Sequence, residues 1–259
     1  MKRILIMSDL HCGHRGGLTP PSWQYNKYDD ENVRGKFGFL QSTVYDWFVR
    51  QVRQVGPVDL LVVNGDAIDG KGEGSGGTEL LTTDRREQCE IAAECINQIE
   101  RKKLLLIRGT PYHTGKEEDW EDVLAGMVNA TDVGWHEWFD ADGVVFDCKH
   151  KVGRSEVPYG KLTAPAREAV WNLIWSERDI QPDANVIVRS HVHYFAYGGD
   201  AYKLWLTTPA LQAWSKYGTA TCAGTVDMGM VYFECNKGAY TWKPILLDLR
   251  FMKTNPLKL

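Results

Sequence analysis

Asp9 with His11, Asp66, His113, His150, and His191 with His193 each stand just past a short apolar run of the chain. Carboxylate oxygens and imidazole nitrogens are metal donors, and a mixed set of them suits Mn, Fe, Zn, Ni or Co better than Ca. Asp9 and His11 are two residues apart, as are His191 and His193. On extended backbone, side chains two apart point the same way, so each pair faces one site. Each residue alone has an ordinary reading: a strand-end histidine in a structural hydrogen bond, Asp9 as a cap, Gly65-Asp66 as a turn. Their joint occurrence, each after a strand, points to a metal site, because ligands of open α/β sheets bind beyond the carboxyl ends of the strands.

The elements that must position these residues alternate in the first half. Lys2 to Ser8 is a buried-strand signal. From Phe37, apolar residues recur at Leu40, Val44, Trp47, Phe48 and Val52, which is helical spacing. Val58 to Asn64 is a strand ended by Gly65-Asp66. Asp84 and Glu87 predict a cap with its reciprocal partner, opening a helix that turns Ile91, Ala92, Cys95, Ile96 and Ile99 to one face. Lys103 to Arg108 predicts a third strand, and Glu117 to Asn129 a helix with an acidic first turn. The second half is richer in strands: Trp135 to His150 with a turn at Asp142-Gly143, Val186 to Arg189, Tyr202 to Thr207, Met228 to Cys235 and Tyr240 to Leu249. Between them Thr163 to Ser176 reads as a helix, with Thr163 as its cap and Pro165 in its first turn. β-α-β units feeding a β-rich half predict an α/β (α+β) chain of two packed sheets with outer helices. No composition shift divides residues 1–259, so one domain is expected. The Gly/Pro-rich loops 12–35 and 69–77 flank the motif residues, and loops that long are usually functional.

Composition narrows the partners. The 259 residues are 43% hydrophobic and 25% charged, the balance of an ordinary globular chain. Apolar runs such as Leu104 to Ile107 fall far short of the ~18–20 residues of a membrane span, so no membrane partner is expected. The run Ile4 to Met7 is cut by Asp9 and is too short for a signal-peptide core, which favours the cytoplasm. Lys and Arg number 30 against 34 Asp and Glu, a net charge of −4 with no basic block. That argues against a protein held to long nucleic acid by bulk charge, while a local metal site can still attract a phosphate group. The six cysteines form no C-x-x-C pair and read as reduced thiols.

Ser8-Asp9-Leu10-His11, Asn64-Gly65-Asp66-Ala67-Ile68-Asp69 and Ser190-His191-Val192-His193 together resemble the motifs of the calcineurin-like metallophosphoesterase family, which includes phosphatases, phosphodiesterases and the Mre11/SbcD-type nucleases. They run in family order over about residues 8 to 193. The resemblance implies a four-layer αββα sandwich, two mixed sheets face to face with helices outside. It also implies two divalent metal ions, Mn foremost with Fe, Zn, Ni or Co as alternatives. Asp9, His11, Asp66 and His193 would hold one ion; Asp66, His150 and His191 the other, with Asp66 bridging. Two ions ~3.5–4 Å apart can lower the pKa of a water between them, so that hydroxide attacks phosphorus in line. Two carboxylates against four positive charges leave a cationic pocket for a phosphoester.

The third motif departs from the family. Gly109-Thr110-Pro111-Tyr112-His113-Thr114 replaces the usual Gly-Asn-His-Asp/Glu. Thr110 stands where the family has a metal-binding Asn, either as a weak ligand or as a place filled by water. His113 follows two extra residues, and the resemblance implies that it is the catalytic proton donor at the leaving oxygen, with Glu117, Glu118 or Asp119 available to orient it. Asp69 and His14 are further candidates for metal or substrate, Asp69 also as a turn residue and His14 also as a solvent-facing one. Cys12 is expected to be buried filler. Arg108 and Arg189 precede site loops, to bind phosphate or to pair with an acid. Trp23, Tyr25, Tyr28, Tyr194, Phe195, Tyr197, Trp214 and Tyr217 lie near the motifs and either stack a base or pack the loops. The implied activity is hydrolysis of a phosphodiester or phosphomonoester, related to nucleotides or single-stranded nucleic acid. The alternatives are an Mre11/SbcD-like DNA or RNA nuclease and a non-catalytic binding scaffold.

Overall fold

The computed structural model describes residues 1–28, 33–114, 119–155, 157–215, 225–253 and 256. Its central strands are buried on both faces, which is why they read as unbroken apolar runs instead of alternating ones. In β1 (Lys2–Met7), Ile4 and Ile6 face one way and Leu5 and Met7 the other. β2 (Val58–Asn64) and β3 (Arg101–Ile107) follow the same rule: Val62, Leu105 and Ile107 join Ile4 and Ile6, whereas Leu61, Val63, Leu104 and Leu106 lie on the opposite side.

With β4 (Asp132–Gly134), β10 (Gly229–Asn236) and β11 (Ala239–Leu246), these strands form a six-stranded mixed sheet ordered β11-β10-β1-β2-β3-β4. β1 to β4 run parallel, and β10 is antiparallel to β1 and to β11. The second sheet holds β5 (His136–Asp140), β6 (Val145–Lys149), β7 (Val186–Arg189), β9 (Leu204–Thr207) and β8 (Ala196–Gly199) in the order β5-β6-β7-β9-β8. Phe146, Cys148, Val186, Val188, Leu204 and Leu206 of this sheet meet Ile4, Ile6, Val231 and Phe233 of the first in one apolar cluster, so the sheets pack face to face.

Helices cover both outer faces. α1 (Val33–Val55), α2 (Arg85–Ile96) and α4 (Trp120–Val128) bury Phe48, Ile91 and Leu124 with Leu5, Leu61 and Leu104. α5 (Thr163–Ser176) lies on β7 and β9, with Ala169 against Ile187. The four-layer αββα expectation holds. No helix among the described residues is long and apolar enough to cross a membrane.

Several local expectations change. The cap of α2 is a relay: Asp84 accepts from the N–H groups of Arg86 and Glu87, its own N–H donates to the Thr82 hydroxyl, and that hydroxyl donates to Glu87. Thr163 is the first helical residue of α5 and not its cap; Leu162 precedes it with no side-chain cap bond. β8 has the sequence AYGG, too short and glycine-rich to show a strand pattern. The third motif forms one helical turn, α3 (Pro111–Thr114). Glu117 and Glu118, at the expected start of α4, lie outside the described residues, and Asp119 caps that helix.

One buried charge cluster fixes α5 to its sheet. Arg189 is 1% exposed; its Nη1 donates to Asp147 Oδ1 at 2.6 Å and its Nε to Glu168 Oε2 of α5 at 3.1 Å. His136 Nε2 also reaches Asp147 Oδ1, at 2.8 Å. Burial would raise the Asp147 carboxyl, but His136 and Arg189 hold it at about 2 against an ordinary 3.8. A carboxyl lowered in this way contributes stability that is complete at neutral pH and is lost as pH falls from ~4 through the folded value. Asp147→Ala strands Arg189 in the interior and is expected to lower the unfolding free energy by about 3–5 kcal/mol. It should also flatten the stability profile across that acid window, as measured by urea melts at a series of pH values.

Candidate metal centre

The parallel strands of both sheets end at one edge, and the expected donors leave from those ends. Asp9, His11, Asp66, His191 and His193 all adopt positive φ, between 44° and 73°. Residues other than glycine rarely do so, and Asp and His are among those that tolerate it. A left-handed residue turns the chain sharply at a strand end and swings its side chain back over the edge. The turns are laced together: the Asp9 N–H donates to the Gly65 carbonyl and the His11 N–H to the Asp66 carbonyl, both at 3.0 Å, and the Ser190 N–H donates to the His150 carbonyl at 2.8 Å.

Three groups of donor atoms lie mutually within 4.8 Å: Asp9, His11 and His193; Asp66, His150 and His191; and His11, Asp69 and His113. In the first, His11 Nε2 is 3.2 Å from His193 Nε2, and His193 Nε2 is 3.3 Å from Asp9 Oδ1. In the second, His150 Nε2 is 2.9 Å and His191 Nδ1 3.9 Å from Asp66 Oδ2. The rings are set from behind. His150 Nδ1 donates to the Asn64 carbonyl at 2.7 Å, and His11 Nδ1 meets Asp69 Oδ1 at 2.8 Å. A histidine whose far nitrogen is tied to a carbonyl or carboxylate presents the other as a metal donor.

The residues fit a divalent cation. Asp9 is fully buried, and its Oδ1 has no hydrogen-bond partner although imidazole nitrogens of His193, His11 and His150 stand 3.3, 4.0 and 4.0 Å away. A buried carboxylate oxygen left bare is costly, and a cation among these atoms satisfies it. Burial alone would raise the Asp9 and Asp66 carboxyls; His193 beside the first and His150 beside the second hold both below the usual carboxylate range. Burial would lower the His150 imidazole, yet Asp66 and Asp9 pull it up to about 10. Burial and the neighbouring His113 push His11 down to about 4. Such a cluster binds positive charge, as a proton or as a metal ion in its place.

Two glycines make room for it. A Cβ at Gly65 would lie 2.3 Å from His150 Nδ1, and one at Gly109 2.1 Å from Asp66 Oδ1. Thr110 sits on Asp66: its N–H donates to Asp66 Oδ1 at 2.7 Å and its hydroxyl to the same oxygen at 3.1 Å. Glu121, buried on α4, accepts from the Gly109 N–H at 2.7 Å; burial and nearby Asp66 push its carboxyl up to about 8.

His113 is held through its Nδ1, 2.7 Å from the Asp69 carbonyl, and its Nε2 lies 4.0 Å from Asp66 Oδ2. Its orienting group is therefore Asp69 and not Asp119, which pairs with Arg108. Asp69 backs two histidines, His11 by its carboxylate and His113 by its carbonyl. His14 is 3% exposed, and its Nδ1 accepts from the Gly16 N–H at 2.9 Å; it does not face bulk solvent. The Cys12 thiol is buried and points at the Leu18 carbonyl. Neither arginine reaches the donors: Arg108 pairs with Asp119 and Asp122, and Arg189 with Asp147 and Glu168.

A cavity of about 530 Å³ opens over His11, Asp66, His191 and His193. Of the expected aromatics among the described residues, only Trp214 lines it. Trp23 packs on the core, Tyr25 and Tyr28 lie against Arg34 and Lys27, Tyr194 is buried with Val152 and Val192, and Phe195 and Tyr197 cluster with Trp242. Tyr217 lies outside the described residues. Tyr112, inside the altered third motif, is a lining residue that the sequence reading passed over. Asn64 and Glu121 were also missed as positioning residues, because their partners, His150 and Ser190 for the first and the Gly109 N–H for the second, are brought close only by the fold.

No family model matches the sequence, and no curated protein matches it. Solved structures of similar layout include a single mutant of Vps29 from Entamoeba histolytica (11% identity, covering 95% of this chain and 99% of that one, TM-score 0.48). Others are Vps29 from Chaetomium thermophilum (9%, 95% and 98%, 0.48) and an archaeal phosphodiesterase (10%, 94% and 99%, 0.45). Likeness at this level assigns no role to any side chain, and the case for the site rests on its own donor atoms.

Gly109→Ala tests the crowding around Asp66. A methyl group 2.1 Å from Asp66 Oδ1 must displace that carboxylate. The expected outcome is Mn affinity weaker by about 10–100-fold, the range for a disturbed supporting shell, as measured by titration calorimetry, with the far-UV circular dichroism spectrum kept.

Proposed function

We propose that this chain is a metal-dependent phosphoesterase of the calcineurin-like type. Asp9, His11 and His193 would hold one divalent cation and Asp66, His150 and His191 a second, with Asp66 shared between them and Mn as the first choice of metal. The observation that supports this reading most directly is the convergence of both donor groups on one cavity, with Asp9 Oδ1 buried and unbonded among three imidazoles. When bound, two such cations supply Lewis acidity toward a phosphoryl group and a water of lowered pKa.

The chain's own residues do the rest. Asp66 sets a negative charge in the cavity wall and Asp9 a second one buried beside His193 and His11, while His11 and His150 are each fixed through Nδ1. Thr110 fixes the rotation of the Asp66 carboxylate. His113, with Nδ1–H donated to the Asp69 carbonyl, turns Nε2 toward the cavity. In its imidazolium form, that nitrogen hands a proton to the departing oxygen of the ester. The substrate class is a nucleotide-related phosphoester, favoured by the rings of Tyr112 and Trp214 in the cavity wall.

A non-catalytic scaffold is the second reading. Thr110 favours it, because its hydroxyl is spent on Asp66. Metal content by mass spectrometry and Mn-stimulated hydrolysis of bis-p-nitrophenyl phosphate separate the two. An enzyme carries about two metals per chain and turns over; a chain with less than one metal and no hydrolysis is a scaffold. Asp66→Asn should abolish hydrolysis and lower metal content, and unchanged turnover would remove Asp66 from the site. His113→Ala should keep its metals and slow esters of poor leaving groups by about 10²-fold or more, with a smaller loss for p-nitrophenolate; equal losses would exclude proton donation.

A further inference from the structure

Helix α5 turns its bulky apolar residues away from the sheet it covers. A helix on a core ordinarily buries its apolar stripe and shows its polar side to water. The buried residues of α5 are Pro165, Ala169 and Asn172. Two are small, and the third is an amide held by the Pro182 carbonyl and the Ala184 N–H. Its large residues face out: Val170, Trp171, Leu173 and Ile174 are 56%, 49%, 46% and 37% exposed. Among the described residues, α1, α2 and α4 together expose only Phe39 and Val123 of this kind. A contiguous apolar patch on one helix face marks a place where something docks.

We propose that a second copy of this chain covers this face, with α5 lying antiparallel on α5 about a twofold axis. Arg167, Val170, Ile174 and Glu177 follow one another at intervals of three, four and three residues, the seam of a helix pair. Antiparallel pairing centred level with Asn172 sets Val170 against Ile174 of the second copy and Arg167 against its Glu177, because the members of each pair are equally far from that centre. Trp171 and Leu173, one residue to either side of it, each meet their own counterpart across the axis. One face thus supplies both halves of the contact, as an isologous interface requires. Arg167 and Glu177 are exposed, and among the described residues neither makes an ion pair within its own chain. A lipid surface fits the face less well, since interfacial helices are rich in Lys and Arg, whereas Arg167 and Arg178 here stand against Glu168, Glu177 and Asp179. A contact of one helix pair belongs to the smaller interfaces, so the association is reversible and of micromolar order.

Sedimentation velocity of the full chain over about 2–300 µM reads this association directly. The expected result is a shift with concentration from a species of 29.4 kDa to one of twice that mass. Ile174→Glu, at an exposed position, should keep the single-chain mass throughout, with its far-UV circular dichroism spectrum unchanged. Arg167→Glu and Glu177→Arg each bring like charges together at both ends of the seam, and each should weaken the dimer by about tenfold or more. The double variant Arg167→Glu/Glu177→Arg exchanges the charges and should recover it. That recovery is specific to the antiparallel register, since a merely adhesive face gains nothing from the exchange. A single-chain mass at the highest concentration, a dimer that survives Ile174→Glu, or a double variant no tighter than either single one overturns the proposal. Binding of the unaltered chain to phosphatidylserine vesicles without any dimer overturns it in favour of a lipid surface.

Discussion

Two carboxylates, Asp9 and Asp66, are buried at the seam of two apolar sheets with exposures of 0% and 1%. No Lys or Arg side chain touches either among the described residues. Burying charge without a partner is among the most expensive acts in a protein interior, so the surroundings must be organised around these two groups. The compensation comes from imidazoles and from hydrogen bonds donated by Thr110 and the His191 N–H. Imidazole is a partner that can carry a proton or give it up to a metal, which an arginine cannot do. The result is a cluster whose charge is balanced only when it holds cations. This explains why the strand ends, the glycines and the long loops all serve a few cubic ångströms of space.

The backbone at this edge stores strain, and a buried hydroxyl chain holds it. Five donors with positive φ each carry a cost of order 1–3 kcal/mol, sustained only where the surroundings over-determine the conformation. Beneath them Ser8 Oγ meets Thr208 Oγ1 at 2.6 Å, Thr208 Oγ1 meets Ser190 Oγ at 2.7 Å, and Asn64 Nδ2 donates to Ser190 Oγ at 2.6 Å. Ser8 and Ser190 immediately precede donors, and Asn64 is separated from Asp66 by one glycine. The chain of bonds crosses from one sheet to the other, so a shift of one donor turn is resisted by the rest. Small polar residues at these positions let both sheets approach closely while satisfying the backbone groups that the sharp turns release.

How much of this was legible depended on the range of the interaction. β2 and β7 read true from their apolar runs because burial on both faces leaves nothing else in the pattern. The spacing of Asp9 with His11 and of His191 with His193 points each pair at one site only on extended backbone; all four instead take positive φ, and His191 and His193 join different donor groups. What the sequence hid were pairings set by the fold. Asp69 reads as a metal or substrate residue or as a turn acid, and only the loops show that it backs both His11 and His113. Arg189 reads as binding phosphate or pairing with an acid, and β6 and α5 decide for the second by placing Asp147 and Glu168 against it. The aromatics divide between their two readings: Tyr194, Phe195 and Tyr197 pack, whereas Trp214 reaches the cavity, as does Tyr112.

The segment Gly109 to Thr114 shows how a short stretch of chain is fitted into a site with little tolerance. Pro111 and Tyr112 separate Thr110 from His113, and the segment closes as a single helical turn, with the His113 N–H on the Thr110 carbonyl at 2.9 Å. Proline suits the first position of such a turn because it has no N–H to leave unbonded. The turn brings His113 back over the donors, within 4.5 Å of the His11 ring, and leaves Tyr112 at the rim, edge-on to His113. Thr110 stays against Asp66 because its main-chain N–H makes the shortest contact there, and that bond needs no particular side chain.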